Sequence, residues 1–286
     1  MDRYAKAKAK AVSKTVGTVS EAGKNSTVVK YAAKLATSVK ERKQAGLFCV
    51  EGVRLCEEAL RSGCRIKSFF YTEKAAKEYA DSVRQISEAA DEVRITSEDT
   101  FRKLSDTVSP QGMFAVLVKP TLKTANIDRH GRYIALENAQ DPSNLGAIAR
   151  TAEALGIDGI IVSGSGCDPY SPKAQRSAMG SLIRLPVIVT ENFLDTMSGL
   201  KAEGMSIVAA VVRGADEYLG ETVLGGGTAV MIGNEGNGLT DDAIKLANKR
   251  VGIKMTGKSE SLNAAAAAAL FIWEMTGASQ NGKQSR

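Results

Sequence analysis

The chain has 286 residues, 43% of them hydrophobic, and a net charge of +6. This is enough for two packed domains. With no run of some eighteen apolar residues and no apolar N-terminal segment, the sequence argues against a membrane span and a secretory signal. Its four cysteines lack CxxC spacing and it has a single histidine, which argues against a zinc site and fits reduced thiols in a cytoplasmic protein.

The charge is uneven. Residues 1–50 hold eleven Lys/Arg and three Asp/Glu, while the other 236 residues sum to −2. A cationic N-terminus on a near-neutral body implies a polyanionic partner, nucleic acid first and an acidic membrane second. Residues 1–22, rich in Ala, Lys, Ser, Thr and Val, read as a flexible basic arm carrying Lys6, Lys8, Lys10 and Lys14.

From Asn25 the pattern becomes globular. VVKYAAKLATSVKERKQAG predicts one basic helix ending near Gly46, and it offers Lys30, Lys34, Lys40, Arg42 and Lys43 to a phosphate backbone. FCVEG is a strand, and VRLCEEALRSG a helix with Val53, Cys56, Ala59 and Leu60 on one face. Next come strand RIKSFFYT, helix EKAAKEYADSVRQISEAA, strand EVRITS, helix SEDTFRKLSD with Ser97 as its cap, and strand MFAVLVKP. Residues 23–120 are thus a compact α/β module. TLKTANIDRHG reads as a linker over residues 121–130, with His130 facing solvent.

A second alternation fills residues 131–286. Its strands are RYIALE, GIIVSG, PVIVT, SIVAAVV, TAVMIG and RVGIKM; helices fall near 144–155, 172–180, 192–203, 240–248 and 262–276. Strands apolar throughout predict a parallel sheet covered on both faces. Ligands then collect beyond the carboxyl ends of the strands, where three loops stand out. In NAQDPSNLGAIAR, Ser143 or Asn144 caps a helix, small residues at Gly146, Ala147 and Ala149 allow close packing, and Arg150 offers a guanidinium to phosphate. In MIGNEGNGLTDDAI, Gly233, Gly236 and Gly238 let backbone amides approach a ligand, and Thr240 caps the next helix. In IKMTGKSESLNAAAAAAL, Ser261 or Asn263 caps an alanine-rich helix. The spacing is neither GxGxxG nor a P-loop. IIVSGSG hints at a dinucleotide fold but lacks the third glycine and the acidic ribose ligand.

Together, DPSNLGAIART, GNEGNGL and SLNAAAAAAL resemble, in order and spacing, the three signature motifs of the SpoU (TrmH-type) branch of the SPOUT RNA methyltransferases. The resemblance covers about Arg132 to Thr276. More weakly, residues 25–120 resemble the RNA-binding module, related to kink-turn-binding ribosomal proteins, that precedes the catalytic domain in many members. The implied fold is α/β: a SPOUT domain whose C-terminus makes a trefoil knot, behind a smaller N-terminal α/β RNA-binding module. The implied activity is methylation of a ribose 2′-hydroxyl by S-adenosylmethionine, in ribosomal RNA (23S) ahead of transfer RNA, by a homodimer without metal.

By position in the motifs, Gly233, Ile253 and Leu262 would meet the cofactor, with Ser261 and Asn263 beside them. Asn144, Arg150, Glu235, Ser261 and Asn263 would serve the reacting groups. A guanidinium has only donors and a pKa above about 12, so Arg150 suits phosphate binding and alkoxide stabilisation better than proton abstraction. Lys254 departs from the proline that often follows the motif-three isoleucine, and it could contact cofactor or RNA. The alternative reading is a catalytically idle RNA-binding or ribosome-assembly protein on the same fold.

Overall fold

The computed structural model describes residues 19–277. The chain divides into two units, Met1–Pro120 with Tyr170–Pro172, and Thr121–Pro169 with Lys173–Arg286.

The first unit contains β1 (Ser20–Glu21), α1 (Thr27–Thr37), α2 (Val39–Ala45), β2 (Leu47–Glu51), α3 (Val53–Arg61), β3 (Ile66–Thr72), α4 (Glu73–Glu78), α5 (Ala80–Ala89), β4 (Glu92–Thr96), α6 (Glu98–Phe101) and β5 (Met113–Val118). Its mixed sheet runs β1-β4-β3-β5-β2. Ser20 and Glu21, read from sequence as the end of a loose arm, pair in parallel with Arg94 and Ile95. Lys6, Lys8, Lys10 and Lys14 lie outside the described residues.

The single basic helix expected up to Gly46 is two helices. Ser38 ends α1, its N–H donating to Lys34 O, and begins α2, its hydroxyl accepting from Glu41 N. This corner corrects one candidate. Arg42 turns back and is 2% exposed, its Nη1 donating to Leu35 O at 2.7 Å and Ala36 O at 3.0 Å. It satisfies carbonyls that the end of α1 leaves without partners, so it is a structural cap and not an RNA contact. Lys34 is exposed but ion-paired to Glu41 at 2.6 Å. Lys30, Lys40 and Lys43 are exposed. The helix expected over 73–90 is likewise split, at Tyr79.

The second unit contains β6 (Arg132–Leu136), α7 (Pro142–Ala154), β7 (Gly159–Ser163), α8 (Pro172–Ala178), α9 (Ser181–Arg184), β8 (Val187–Thr190), α10 (Phe193–Ala202), β9 (Ser206–Ala210), β10 (Glu217–Tyr218), β11 (Thr228–Ile232), α11 (Asp241–Leu246), β12 (Lys249–Gly252) and α12 (Ala264–Met275). The sheet order is β10-β12-β9-β11-β6-β7-β8, and every pairing is parallel. Strands β7 and β11 are buried along their whole length, as coverage of both faces requires.

On one face, Leu145 and Ile148 of α7, Ala174 and Ala178 of α8, and Phe271, Ile272 and Met275 of α12 pack on Leu136, Ile160, Val208 and Val230. On the other, Phe193, Met197 and Leu200 of α10 and Ala243 of α11 pack on Ala135, Ile161, Ile207 and Met231. Burying one such large side chain contributes roughly 1.5–3 kcal/mol. The small face of α7 has a definite neighbour: a Cβ on Gly146 would lie 2.5 Å from Ser177 Cβ and 2.7 Å from Ala178 N.

Two features of this topology shape the site. Strand β12, later in the chain, lies between β9 and β10, so the short segment joining those two must cross it. And the loops after neighbouring strands β6 and β11 lead to α7 and α11 on opposite faces of the sheet.

Candidate active site

The loop after β11 closes on itself. Asn234 and Gly238 exchange backbone hydrogen bonds, N to O at 3.0 Å and 2.9 Å. Asn234 Oδ1 accepts from Gly236 N at 2.8 Å and Asn237 N at 3.1 Å, and its Nδ2 donates to Asn138 O at 2.9 Å. A Cβ on Gly233 would sit 2.0 Å from Gly238 C and 2.1 Å from Leu239 N. The glycine expected to bare the backbone for a ligand is therefore required first by the loop's own return path. Gly238 has φ +71°, a left-handed conformation that glycine adopts at low cost. Beneath the loop, Glu137 is a buried carboxylate that sequence reading missed. It accepts from Thr240 N at 2.8 Å and Thr240 Oγ1 at 2.7 Å, and its signal was an acidic residue ending an apolar strand.

Glu235 joins the loops. Its Oε1 accepts from Asn144 Nδ2 at 3.0 Å and Asp141 N at 3.2 Å, and its Oε2 accepts from Gln140 N at 3.0 Å. Burial pushes this carboxyl's pKa up, but the Asn144 amide and the Gln140 and Asp141 N–H groups more than offset that and hold it below the usual range. Asn144 is free for this contact because neither it nor Ser143 caps α7. Asp141 does, accepting from Ser143 N, with Pro142 opening the helix. Asn144 Oδ1 in turn accepts from Asn263 Nδ2 at 3.1 Å. Asn263, not Ser261, caps α12 through Ala265 N and Ala266 N. A continuous hydrogen-bonded chain, Asn263–Asn144–Glu235, thus links the three loops.

Other candidates sit apart from that chain. Arg150 is exposed, and its Nη1 donates to Met179 Sδ at 3.2 Å, a weak acceptor. Six residues along α7 place it about 120° around the helix from Asn144. Ser261 is exposed, its carbonyl accepting from Ser259 Oγ. Ile253 is half-buried against the core, whereas Met255 and Leu262 are each 38% exposed. All three lie on the polar 253–263 loop. Lys254 is engaged with the Glu221 carboxylate and lies 5.4 Å from the centre of the Tyr218 ring. Cys167 is no nucleophile at neutral pH: burial and the nearby Glu235 charge push its thiol up to about 11. Among the described residues no acidic, His or Cys cluster could hold a metal, and no helix is long and apolar enough to cross a membrane.

Comparison with known proteins decides the family. The SpoU rRNA Methylase family model matches residues 131–273, half of the chain. The chain belongs to the SpoU rRNA methylase family. Residues 26–115 of this SpoU chain match the MRM3-like substrate binding domain. It is 31% identical to the 23S rRNA (guanosine(2553)-2′-O)-methyltransferase RlmP of Bacillus subtilis, over 83% of this chain and 92% of that one. A second relative, the 23S rRNA (uridine(2479)-2′-O)-methyltransferase of Streptomyces viridochromogenes, is 31% identical over 82% of this chain and 84% of its own. Among solved structures, the AdoMet-bound rRNA methyltransferase of Sinorhizobium meliloti superposes with a TM-score of 0.79 at 26% identity, over 93% of this chain and 99% of that one.

Proposed function

We propose that this SpoU protein methylates a ribose 2′-hydroxyl of ribosomal RNA, with 23S rRNA as substrate. The observation that carries the reading is the Asn263–Asn144–Glu235 chain, which ties the three signature loops into one preorganised rim. Two relatives named for 2′-O-methylation of 23S rRNA support the substrate, and AdoMet-bound neighbours support the cofactor.

Ile253 and Leu262 would flank the adenosine of S-adenosylmethionine, with Gly233, Ser261 and Asn263 on the adjoining loops. When bound, the cofactor supplies a methyl group on a positively charged sulfur. The chain's own task is alignment. Glu235, held by three N–H groups, and Asn263, bonded to the helix it caps, hold Asn144 at both ends, so these three act as positioning residues. Holding the oxygen in line converts an encounter into an intramolecular step. Arg150, whose Nη1 meets the weakly accepting Met179 sulfur, would offer N–H groups to the phosphate beside the target and to charge developing on the ribose oxygen. That phosphate, or a water, accepts the hydroxyl proton. Residues 23–120 bind RNA through Lys30, Lys40 and Lys43, contacts that position without reading sequence.

We also propose a cytoplasmic homodimer with a knotted C-terminus. Insertion of β12 between β9 and β10 is what a threaded chain requires. The outer side of α12 leaves Leu270 and Trp273 44% and 47% exposed, an apolar face suited to a second copy.

The test uses the purified protein, methyl-tritiated S-adenosylmethionine and unmodified 23S rRNA. A ribose 2′-O-methyl group blocks alkaline cleavage, so label is expected in alkali-resistant dinucleotides. Label in a base-modified mononucleotide, or no transfer to rRNA, refutes the reading.

A further inference from the structure

Beside the Glu235 rim lies a cleft of about 630 Å3, within the roughly 300–1,000 Å3 typical of small-molecule sites. It opens beyond the carboxyl ends of the adjacent strands β7, β6 and β11, which contribute Ser165, Asn138 and Asn234. Because the loops after β6 and β11 depart to opposite faces, this is a switch point of the sheet, the place where open parallel sheets take ligands. None of the residues assigned to the cofactor lines it.

The lining chemistry identifies the ligand class. The polar side chains include four carboxamides (Asn138, Gln140, Asn234, Asn237), the Ser165 hydroxyl and the Asp241 carboxylate, with no Lys or Arg among the described lining residues. A phosphate would find no cation there. Part of this set builds the walls: Asn138 Oδ1 accepts from the Ser163 and Ser165 hydroxyls, and the Asn234 carboxamide is spent on Asn138, Gly236 and Asn237 backbone groups. The rest has no recorded hydrogen bond among the described residues: Asn138 Nδ2, Gln140 Oε1, the Asn237 carboxamide and the Asp241 carboxylate. Such a mix of neutral donors and acceptors with one anionic acceptor matches the edge of a nucleobase, whose ring N–H and amino groups seek acceptors and whose carbonyls seek donors. Gln140 joins cleft to rim, since its backbone N–H donates to Glu235 Oε2.

We infer that this cleft holds the unstacked base of the nucleotide whose ribose is methylated, read by Gln140, Asn237 and Asp241. The inference rests on the methyltransferase reading and names the element that selects the target nucleotide. RNA readers of this kind take bases from loops and single strands.

Photocrosslinking tests it without requiring turnover. With the full chain and 23S transcripts carrying 4-thiouridine or 6-thioguanosine, crosslinks are expected on peptides containing 138–140 and 234–241. Crosslinks confined to 253–263 or to the N-terminal unit overturn the inference. The second arm compares Asn237→Ala and Asp241→Asn with wild type, on RNA that is intact or abasic at the methylated nucleotide. A good bidentate base contact gives about tenfold or more discrimination. Each variant should lose about that in kcat/KM on intact RNA, keep its S-adenosylmethionine Kd, and match wild type on abasic RNA. The same loss on both RNAs, or weakened cofactor binding, contradicts the assignment. Expected crosslinks without any methyl transfer would sink the enzymatic reading and, with it, the assignment to a methylated nucleotide; methyl transfer without crosslinks at 138–140 or 234–241 would overturn the cleft assignment alone.

Discussion

Gly233→Ala is the sharpest perturbation of the site. The new methyl would lie 2.0 Å from Gly238 C, 2.1 Å from Leu239 N and 2.3 Å from Gly238 O, against an ordinary contact of about 3.5 Å. All three neighbours are backbone, so no side chain can swing away. Relief requires moving the 234–239 turn by more than an ångström, which breaks the paired Asn234–Gly238 hydrogen bonds and pulls Thr240 from Glu137. Overpacking costs about 1–3 kcal/mol, and lost hydrogen bonds about 0.5–1.5 kcal/mol each. We expect a loss of at least about 3 kcal/mol, a large share of the roughly 5–15 kcal/mol that holds a domain folded. In a domain of this size that lowers Tm by about 10 °C. Calorimetry should show the drop, with S-adenosylmethionine binding lost even where the variant remains folded. A Gly233→Ala protein with wild-type Tm and wild-type cofactor affinity would refute both the loop geometry and its link to the cofactor.

Arg150→Ala should leave the S-adenosylmethionine Kd unchanged while methyl transfer falls about 10²–10³-fold, the usual cost of removing one charged donor from developing negative charge; equal loss in both would make Arg150 structural. Glu235 ionises below the ordinary carboxyl range in the folded chain, so its contribution to stability is present above about pH 4.3, the unfolded value, and is lost as pH falls through the lower folded pKa. Glu235→Gln should therefore flatten the acid side of a stability-versus-pH curve, and an unchanged slope would contradict the hydrogen-bond assignment. Arg42→Ala should cost about 2–4 kcal/mol by orphaning buried carbonyls, seen as a lower Tm with RNA affinity retained by the folded protein. Lys40→Ala and Lys43→Ala should do the reverse, each lowering the salt slope of RNA binding by about one.

The parallel sheet was legible because strands buried on both faces, such as Gly159–Ser163 and Thr228–Ile232, must be apolar throughout. Thr240, a small hydroxyl ahead of Asp241 and Asp242, announced its cap on α11. The break at Ser38 was not legible. A serine inside a helical pattern is compatible with continuation, and only Arg42 reaching back to Leu35 and Ala36 gives the corner its reason. The same contact removed Arg42 from the basic surface, since charge counted along a sequence does not distinguish a buried guanidinium from an exposed one. Asn144, Glu235 and Asn263 were legible as motif positions, but their mutual contacts span 91 and 119 residues and follow from the adjacency of β6 and β11 and the packing of α12 on α7. Gly233 shows the limit most clearly: its residue type was noticed, but its cause is the chain's return on itself.

The most direct test of the account is the position of the methyl donor in crystals of this protein soaked with S-adenosylmethionine. Its adenosine is expected against Ile253 and Leu262, its sulfur beside the 233–238 turn, and the cleft at Asn138, Asn237 and Asp241 left open for a base. A donor lodged in that cleft, or elsewhere away from the 253–263 loop, would contradict it.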